Sequence, residues 1–407
     1  MKILFLTDNF PPEVTPPATR TFNHCEEWIK DKNTDVTIIT SFPNFPFGKV
    51  YKGYKNQLYK KEKIGGLNVI RVWTYMAENA GVLKRIIDQF SFALTSFFFG
   101  LFQKYDIIVA TSPQFFTTWS AFLLSKIRRK PWIFELRDIW PESIYTLGVI
   151  KNKKIISFLE KIELYLYKDA NLIIPVTNAF KENLIKRGID SSKIYPITNG
   201  VNSKIFHSKD RNYNLVRKLN LSNKFVVGYI GTHGIAHGLD FIVETIRDIE
   251  DESIHFLFVG DGSEKNNIKA LVYKYGLKNI TFIDSVSQEV VSDYISVCDL
   301  SLVCLKRNDT FKSVIPSKIF SMAAVGRPIL LGVEGESKDI LIKYNAGLSF
   351  VPENKESFIN QLLELKNNKD LYAAAEKGCR KLAEDFDSKR LANNMLTLIN
   401  NTIISNR

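Results

Sequence analysis

Short apolar segments that end at turn residues alternate with helical segments along the whole chain, and this alternation restricts the fold more than any other feature. In the first half these segments are residues 2–7, 34–40, 67–72, 106–110, 132–135 and 172–176. Each is of strand length and has long apolar runs, which is typical of a parallel sheet covered on both faces. Strands that alternate with helices predict an α/β domain with a mostly parallel sheet. Residues 41–64, with Pro43, Pro46 and Gly48, are predicted to be irregular.

The same pattern begins again in the second half of the chain. Residues 224–230 lead into a turn at Gly231, and residues 254–259 lead into Gly260 and Gly262. Further apolar segments follow at residues 280–283, 300–305 and 328–331. A second parallel sheet is therefore expected.

We predict two Rossmann-like α/β domains of similar size, residues 1–200 and 201–385. The hinge between them is placed near residues 198–210, and the C-terminal helix, about residues 386–407, is a candidate to pack back on the first domain. Parallel sheets that face each other across a cleft make that cleft the default ligand site.

The composition narrows the classes of partner. The chain has 407 residues, of which 45% are apolar and 24% are charged, and this excludes a largely disordered protein. Its net charge of +12 is uneven, with +10 in residues 1–200 and +2 in residues 201–407. The excess in the first half favours an anionic partner. Because no basic stripe alternates with aromatic residues, we expect no nucleic-acid partner.

The cysteines and the apolar runs indicate a protein of the cytoplasm. Cys25, Cys298, Cys304 and Cys379 show neither CxxC nor zinc spacing, so free and mostly buried thiols are expected. The N-terminus lacks the pattern of a signal peptide. The most apolar stretch, residues 89–103, is shorter than the roughly 20 residues that span a bilayer.

A glycine-rich turn from Gly231 to Gly234 follows the first strand of the second domain. Backbone N–H groups in such a turn can approach phosphate oxygens, and the positive end of a following helix favours negative charge. The turn matches neither the GxGxxG pattern nor a Walker A loop. By itself it is equally consistent with a tight strand-to-helix connection.

A second candidate for anion binding is the helix start at Pro316, Ser317 and Lys318. Proline can begin a helix, and serine is common in the first turn. A lysine in that turn is unfavourably placed for the helix dipole, which makes an anionic ligand beside Lys318 plausible. Lys306 and Lys312 add positive charge nearby. The alternative is a solvated basic loop.

A third candidate follows the strand at residues 132–135. Arg137, Asp138, Trp140 and Glu142 place charges and an indole at the carboxyl edge of the first sheet. Such a set suits the recognition of sugars and phosphates. The alternative is a structural network of arginine and carboxylate groups.

Taken in order, these segments resemble the GT-B-fold glycosyltransferases of family 4, which are retaining nucleotide-sugar transferases. The similarity extends over nearly the whole chain and is closest to the branch that builds bacterial surface polysaccharides, such as N-acetyl-L-fucosamine transferases of O-antigen and capsule synthesis. The segments that carry it are residues 9–13, 137–142, 199–202, 231–234, 260–262, Asp299 and 316–318.

The chain departs from the family at several positions. Alignment on the segment 316–318 places Ser313 and Ser321 where the family has a pair of glutamates. A serine can make a hydrogen bond, but it cannot offer a charged bidentate acceptor to the ribose hydroxyls. Thr232 and His237 stand where arginine and lysine are common. Residues 15–18 replace the paired glycines of the first loop.

The resemblance implies a role for each motif. The residues expected at the donor and its phosphates are Gly231, Thr232, His233, Gly234, Asp261, Gly262, Lys306, Lys312, Ser317, Lys318 and Ser321. Asp138 is expected nearest the acceptor hydroxyl, Glu13 is a second catalytic candidate, and Lys318 stabilises the leaving phosphate. Arg137, Trp140 and Glu142 are expected on the acceptor side.

By the same resemblance, the substrates are a UDP-sugar, with an N-acetylated deoxyhexosamine or hexosamine, and a polyprenyl-diphosphate-linked saccharide. Neither a metal nor another cofactor is expected. Two alternatives remain: a non-catalytic GT-B partner subunit, which the two serines favour, and a nucleotide-sugar 2-epimerase, whose acid and base carboxylates are not recognisable.

The helical segment 82–102 is rich in phenylalanine and begins with Lys84 and Arg85. This composition suits an interfacial helix on the inner leaflet of the cytoplasmic membrane, where a lipid-linked acceptor lies. The alternative is a core helix of the first domain.

Overall fold

The computed structural model describes residues 1–45, 48–76, 81–112, 114–139 and 153–406. It divides into two compact units. The first unit consists of Met1–Thr198 together with Ser388–Arg407, and the second unit is Asn199–Asp387.

The first unit contains a seven-stranded sheet with helices between its strands. Its strands are β1 (Lys2–Leu6), β2 (Asp35–Ser41), β3 (Tyr59–Ile64), β4 (Leu67–Val72), β5 (Ile107–Thr111), β6 (Trp132–Leu136) and β7 (Leu172–Pro175). Its helices are α1 (Pro16–Trp28), α2 (Gly81–Gly100), α3 (Phe115–Arg128), α4 (Lys153–Asp169) and α5 (Asn178–Lys186). The strand order is β3-β4-β2-β1-β5-β6-β7, and every pair except β3 with β4 is parallel.

Both faces of this sheet are buried, because successive side chains of a strand point to opposite faces. On β1, Ile3 and Phe5 belong to one hydrophobic core, and Leu4 and Leu6 belong to another. This explains why the strands are short apolar runs rather than alternating ones.

The edge strand β3 corrects the prediction that residues 41–64 are irregular. Its polar sequence pairs antiparallel with β4, with Ile64 opposite Leu67. The turn is formed by Gly65 and Gly66, both with positive φ, which is the backbone that a two-residue hairpin requires. Lysines on an edge strand oppose unwanted pairing with other chains, and the apolar pattern is therefore absent.

The second unit contains a six-stranded, all-parallel sheet. Its strands are β8 (Phe225–Ile230), β9 (Ile254–Val259), β10 (Ile280–Ile283), β11 (Leu300–Cys304), β12 (Ile329–Gly332) and β13 (Gly347–Ser349). Its helices are α6 (Tyr213–Lys218), α7 (Leu239–Ile246), α8 (Lys265–Lys274), α9 (Gln288–Val297), α10 (Lys318–Val325), α11 (Glu336–Tyr344), α12 (Lys355–Asn367) and α13 (Lys369–Asp385). The strand order is β10-β9-β8-β11-β12-β13.

The last helix, α14 (Ser388–Ser405), belongs to the first unit, where it packs on α1. The indole of Trp28 donates a hydrogen bond of 2.8 Å to the carbonyl of Ala392. No helix in the described part of the chain has both the length and the apolar character needed to cross a bilayer.

Candidate functional site

The loops that follow β8 and β9 touch backbone to backbone at the carboxyl edge of the second sheet. A Cβ atom on Gly262 would lie 2.4 Å from the carbonyl oxygen of His233, which no side chain tolerates. Gly231 has a φ of +141°, a conformation that is open to glycine and strained for other residues. Gly262 is therefore required by this close approach, and Gly231 by its backbone conformation.

This contact leaves two N–H groups of the turn available to a ligand. Gly231 and His233 donate their N–H groups to carbonyls of β9 and its loop, at 2.9 and 2.8 Å. The N–H groups of Thr232 and Gly234 have no acceptor in the part of the chain that the structure describes. Alternate N–H groups of the turn thus have the arrangement that an anion-binding site requires.

Lys318, the first residue of α10, lies against the same turn. Its Nζ donates a 2.9 Å hydrogen bond to the hydroxyl of Tyr229 and lies 4.0 Å from the centroid of that ring. A Cβ atom on Gly231 would be only 2.9 Å from this Nζ. Within the described ranges no carboxylate forms an ion pair with Lys318, and burial lowers its pKa to about 8. An anion in the turn would restore the charge that burial disfavours.

The other two lysines expected at the phosphates already have carboxylate partners. Lys306 Nζ lies 3.3 Å from Asp240, and Lys312 Nζ lies 2.7 Å from Asp309 and 3.8 Å from Glu334. Their charges are balanced within the unit. Sequence spacing placed all three lysines together, but these contacts single out Lys318.

A cavity of about 280 Å³ opens beside the turn. Its lining is mainly apolar and comes from the ends of β8 and β9, the residues after β10, and helices α9 and α10: Ile230, Gly231, Thr232, Val259, Gly260, Asp261, Ser285, Val286, Val291, Ile295, Ser321 and Met322. A concave apolar site with a few convergent polar groups is typical of small-molecule binding.

The serines and the acidic residue of the site differ in their placement. Ser321 lines the cavity, and its hydroxyl donates to the carbonyl of Lys318 at 3.1 Å. Ser317 precedes α10 without a side-chain capping bond, and Ser313 donates to Thr310 outside the cavity lining. Asp261 also lines the cavity and accepts the N–H of Gly262 at 2.8 Å.

The histidines near the turn are not cations of the site. The side chain of His233 is fully buried, and its ring lies 5.7 Å from the ring of Tyr229. Burial lowers the pKa values of His233 and His237 to about 4, so both are neutral at physiological pH. The side chain of His233, predicted at the donor, instead lies in the interior; only its backbone belongs to the turn.

At the carboxyl edge of the first sheet, Arg20 pairs with the buried carboxylate of Glu135, and Arg137 acts on that carboxylate electrostatically. Arg20 Nε donates a 2.8 Å hydrogen bond to Glu135, and the same guanidinium caps the carbonyls of residues 197 and 198. Burial would raise the pKa of Glu135, but Arg20 and Arg137 outweigh it and hold that pKa below its usual value. Burial lowers the pKa of Arg137 to about 10. The pair between Arg20 and Glu135 matches the structural alternative named above.

Asp138 remains available at this edge. The hydroxyl of Ser112 accepts the N–H groups of Arg137 and Asp138, at 2.8 and 3.4 Å, which fixes the backbone at the end of β6. The side chain of Asp138 reaches solvent, yet partial desolvation raises its pKa while Arg137 opposes that shift. Trp140 and Glu142 lie outside the described residues.

The carboxylate of Glu13 connects two loops of the first unit by hydrogen bonds. One carboxylate oxygen accepts the backbone N–H groups of Asn44 and Phe45, at 2.7 and 2.8 Å. The other accepts from the side chain of Asn9 and the backbone of Phe10, at 3.1 and 3.3 Å. The residue is 2% exposed, so it joins two loops rather than facing a ligand freely.

Comparison with known families decides the class of protein. Residues 18–204 match the family "Glycosyltransferase Family 4", and residues 213–382 match the family "Glycosyl transferases group 1". The chain is a GT-B glycosyltransferase. The two families match the two units in turn.

Known relatives of this glycosyltransferase agree with that assignment. The chain is 26% identical over 343 residues to the putative colanic acid biosynthesis glycosyl transferase WcaI of Escherichia coli, covering 82% of this chain and 84% of that protein. The fold is similar to Anabaena HepE in complex with UDP, with a TM-score of 0.75 at 15% identity over 98% of this chain and 100% of that one. It is also similar to sucrose-phosphate synthase of Thermosynechococcus elongatus, with a TM-score of 0.77 at 16% identity over 99% of both chains.

The sequence motifs did not single out Tyr229, which the structure places in the candidate site beside Lys318 and Thr232. The position of Tyr229 in the apolar strand β8 makes it look like an ordinary core residue, and its ring is indeed buried in the core. The available signal was a hydroxyl group two residues before Gly231, at the end of a strand where ligands bind.

Proposed function

We propose that this glycosyltransferase transfers a sugar from a UDP-sugar to a polyprenyl-diphosphate-linked saccharide during synthesis of a bacterial surface polysaccharide. The name of the E. coli relative supports the pathway class, and the UDP complex of the Anabaena structure supports the donor. The sugar we propose is an N-acetylated deoxyhexosamine or hexosamine, transferred with retention of the anomeric configuration.

The observation that carries this proposal is that a cation without a carboxylate partner among the described residues lies against a turn in which two N–H groups have no acceptor there. Lys318 and the N–H groups of Thr232 and Gly234 offer several donors to a diphosphate. The cavity of about 280 Å³ next to them offers apolar walls to a nucleoside. Among the hydroxyl groups of that wall, we assign Ser321 to a ribose oxygen.

The transfer itself needs leaving-group stabilisation more than a protein nucleophile. The bond between the anomeric carbon and the UDP oxygen breaks, and a bond from that carbon to the acceptor oxygen forms. The acceptor's proton passes to the departing phosphate oxygen, so atoms and charge balance. Lys318 and the turn stabilise the charge that develops on UDP, and Asp138 orients the acceptor hydroxyl.

The acceptor belongs to the first unit in this proposal. The net charge of +10 in residues 1–200 suits a diphosphate-linked saccharide. Arg137 and Asp138 lie at the carboxyl edge of the sheet in that unit, where α/β proteins bind ligands.

The membrane face we propose is the exposed side of α2. Phe92 packs in the core, so the core-helix interpretation holds for one side of the helix. The other side exposes large apolar groups along one stripe: Ile86, Ile87, Phe90, Leu94, Phe98 and, just beyond the helix, Phe102. Lys84 and Arg85 are exposed at its beginning. An apolar stripe beside cations suits the inner leaflet of the cytoplasmic membrane.

Nucleotide binding tests the donor assignment. We expect UDP to raise the melting temperature, and GDP, ADP and CMP to leave it unchanged. At about 100 times its dissociation constant, UDP should stabilise the fold by about 2.7 kcal/mol. Lys318→Ala should abolish most of the shift. Lys343→Ala is the matched control, because Lys343 also lies over a tyrosine ring, at 5.5 Å, but that ring is Tyr344 at the end of α11 rather than Tyr229 beside the turn. Equal shifts with all four nucleotides would overturn the donor assignment.

Vesicle flotation tests the membrane face. We expect wild-type protein to float with anionic liposomes at low salt and Phe90→Ser/Phe98→Ser to remain in the soluble fraction. Tyr273→Ser removes a 90% exposed aromatic group from the second unit and should behave as wild type. Wild-type protein that fails to bind these vesicles would contradict the assignment.

A further inference from the structure

Tyr229 connects the glycine-rich turn to Lys318 through a single hydroxyl group. The turn and the lysine are the two parts of the proposed phosphate site. That hydroxyl donates a 2.6 Å hydrogen bond to the carbonyl of Thr232 and accepts the 2.9 Å bond from Lys318. The ring below it is fully buried, so the hydroxyl has a fixed position. The turn and the lysine are thus held relative to each other by one buried side chain.

A lysine needs such a partner to act at a defined point. Its ammonium group sits on a flexible four-carbon stem, and its rotamer entropy must be overcome before it can bind an oxygen at a fixed place. For Lys318 the described residues supply no carboxylate to do this. The hydroxyl of Tyr229 is the acceptor, and the face of its ring, 4.0 Å from Nζ, adds a cation–π attraction.

We infer that Tyr229 is a positioning residue of the donor site, which holds the ammonium group of Lys318 over the turn before the diphosphate arrives. The inference rests on the proposed binding of a UDP-sugar. Because Lys318 is already ordered in the ligand-free protein, its side chain loses less conformational entropy when the donor binds.

The other titratable groups around Lys318 carry no charge at neutral pH. Within the described part of the chain, the groups that interact with it electrostatically are His233, His237 and Cys304. The pKa values of the two histidines are near 4, and burial raises that of the Cys304 thiol to about 12. Burial also raises the pKa of Tyr229, which keeps its hydroxyl un-ionised. The position of the Lys318 ammonium group is therefore set by a neutral hydroxyl group, that of Tyr229.

The test compares Tyr229→Phe with a matched control, Tyr372→Phe. The hydroxyl of Tyr372 also donates to a backbone carbonyl in the same unit, that of Asp299 at 2.9 Å. Removing it costs the same kind of hydrogen bond but leaves the contact with Lys318 intact. Two properties are measured: the pH midpoint for acetylation of Lys318 by acetic anhydride in the ligand-free protein, read by peptide mass spectrometry, and the affinity for UDP.

We expect the acetylation midpoint near pH 8 in wild type and in Tyr372→Phe. In Tyr229→Phe it should fall by about one unit, because the charged form loses its hydrogen-bond acceptor. The affinity for UDP should fall about tenfold in Tyr229→Phe alone. An unchanged midpoint together with the affinity of the Tyr372→Phe control would overturn the inference. A shifted midpoint in a protein that does not bind UDP would support the positioning of Lys318 and refute the donor instead.

Discussion

A Cβ atom on Gly260 would lie 2.0 Å from the carbonyl oxygen of Gly231, which is even closer than the 2.4 Å between a Cβ atom on Gly262 and the carbonyl oxygen of His233. Gly260 and Gly231 have φ values of +138° and +141°. This contact sets the backbone of the turn and so aims the N–H groups of Thr232 and Gly234. It makes the proposed phosphate site sensitive to a single methyl group.

Gly260→Ala should therefore lose both stability and UDP affinity. The strained φ and the backbone clash together predict a loss of roughly 3 kcal/mol or more in the free energy of unfolding, measured with urea. Gly276→Ala is the control, because Gly276 has a φ of +65° with nothing within 4 Å of its Cβ position. It should lose about 1 kcal/mol and keep its affinity. Similar losses in both variants would show that the contact between the loops does not matter.

Binding of UDP should take up protons at pH 8. Lys318 has a pKa of about 8 in the free protein, so about half of the molecules lack this proton, and a bound diphosphate raises the pKa and restores it. Calorimetry in buffers of different ionisation enthalpy should show uptake of about half a proton per UDP. The uptake should fall at lower pH, where Lys318 is already protonated.

Lys318→Arg provides the control for proton uptake, because a guanidinium group stays charged at pH 8. This variant should bind UDP with almost no uptake from the protein. Equal uptake in the two proteins would assign the proton to another group.

Asp138→Asn should keep the fold and the affinity for UDP but lose most of the transfer activity. The amide retains the size of the side chain and removes the charge that orients the acceptor hydroxyl. In wild type, activity should decline as the pH falls through the raised pKa of Asp138, because protonation removes the same charge. A product assay with unchanged turnover in Asp138→Asn would exclude this residue from the mechanism.

Glu13→Gln should act on stability. One carboxylate oxygen accepts two backbone N–H groups, and an amide nitrogen placed there cannot accept either. We expect a loss of about 1–3 kcal/mol in the free energy of unfolding, with the affinity for UDP unchanged. A normal melting temperature with a large loss of turnover would instead restore Glu13 as a catalytic candidate.

The sequence predicted the two parallel sheets because buried strands leave a strong apolar signal. It failed at β3, where a polar edge strand relies on the Gly65–Gly66 turn and the partner β4 rather than on burial. A local pattern records which residues avoid water, and an edge strand made of lysines does not avoid it.

The donor site was predicted as a set of motifs, and the contacts then ranked its members. Lys306, Lys312 and Lys318 are all nearby cations in sequence. Lys312 has a local partner in Asp309, but only tertiary contacts bring Asp240 to Lys306 and Glu334 to Lys312. The sequence also showed that His233 belongs to the turn. Only the structure shows that its ring points into the interior.

The order of strands, turns and charged segments by itself determined the α/β class, the two-domain organisation and the turn at Gly231, because strand length, apolar runs and glycine are local properties of the chain. The tertiary structure alone decided which distant charged groups form ion pairs and which distant polar groups hydrogen-bond to each other. Tyr229 and Lys318 are 89 residues apart in sequence, and their hydrogen bond exists only because β8 and the start of α10 meet at the same edge. Electrostatic partnership depends on distance in space, which no local pattern encodes.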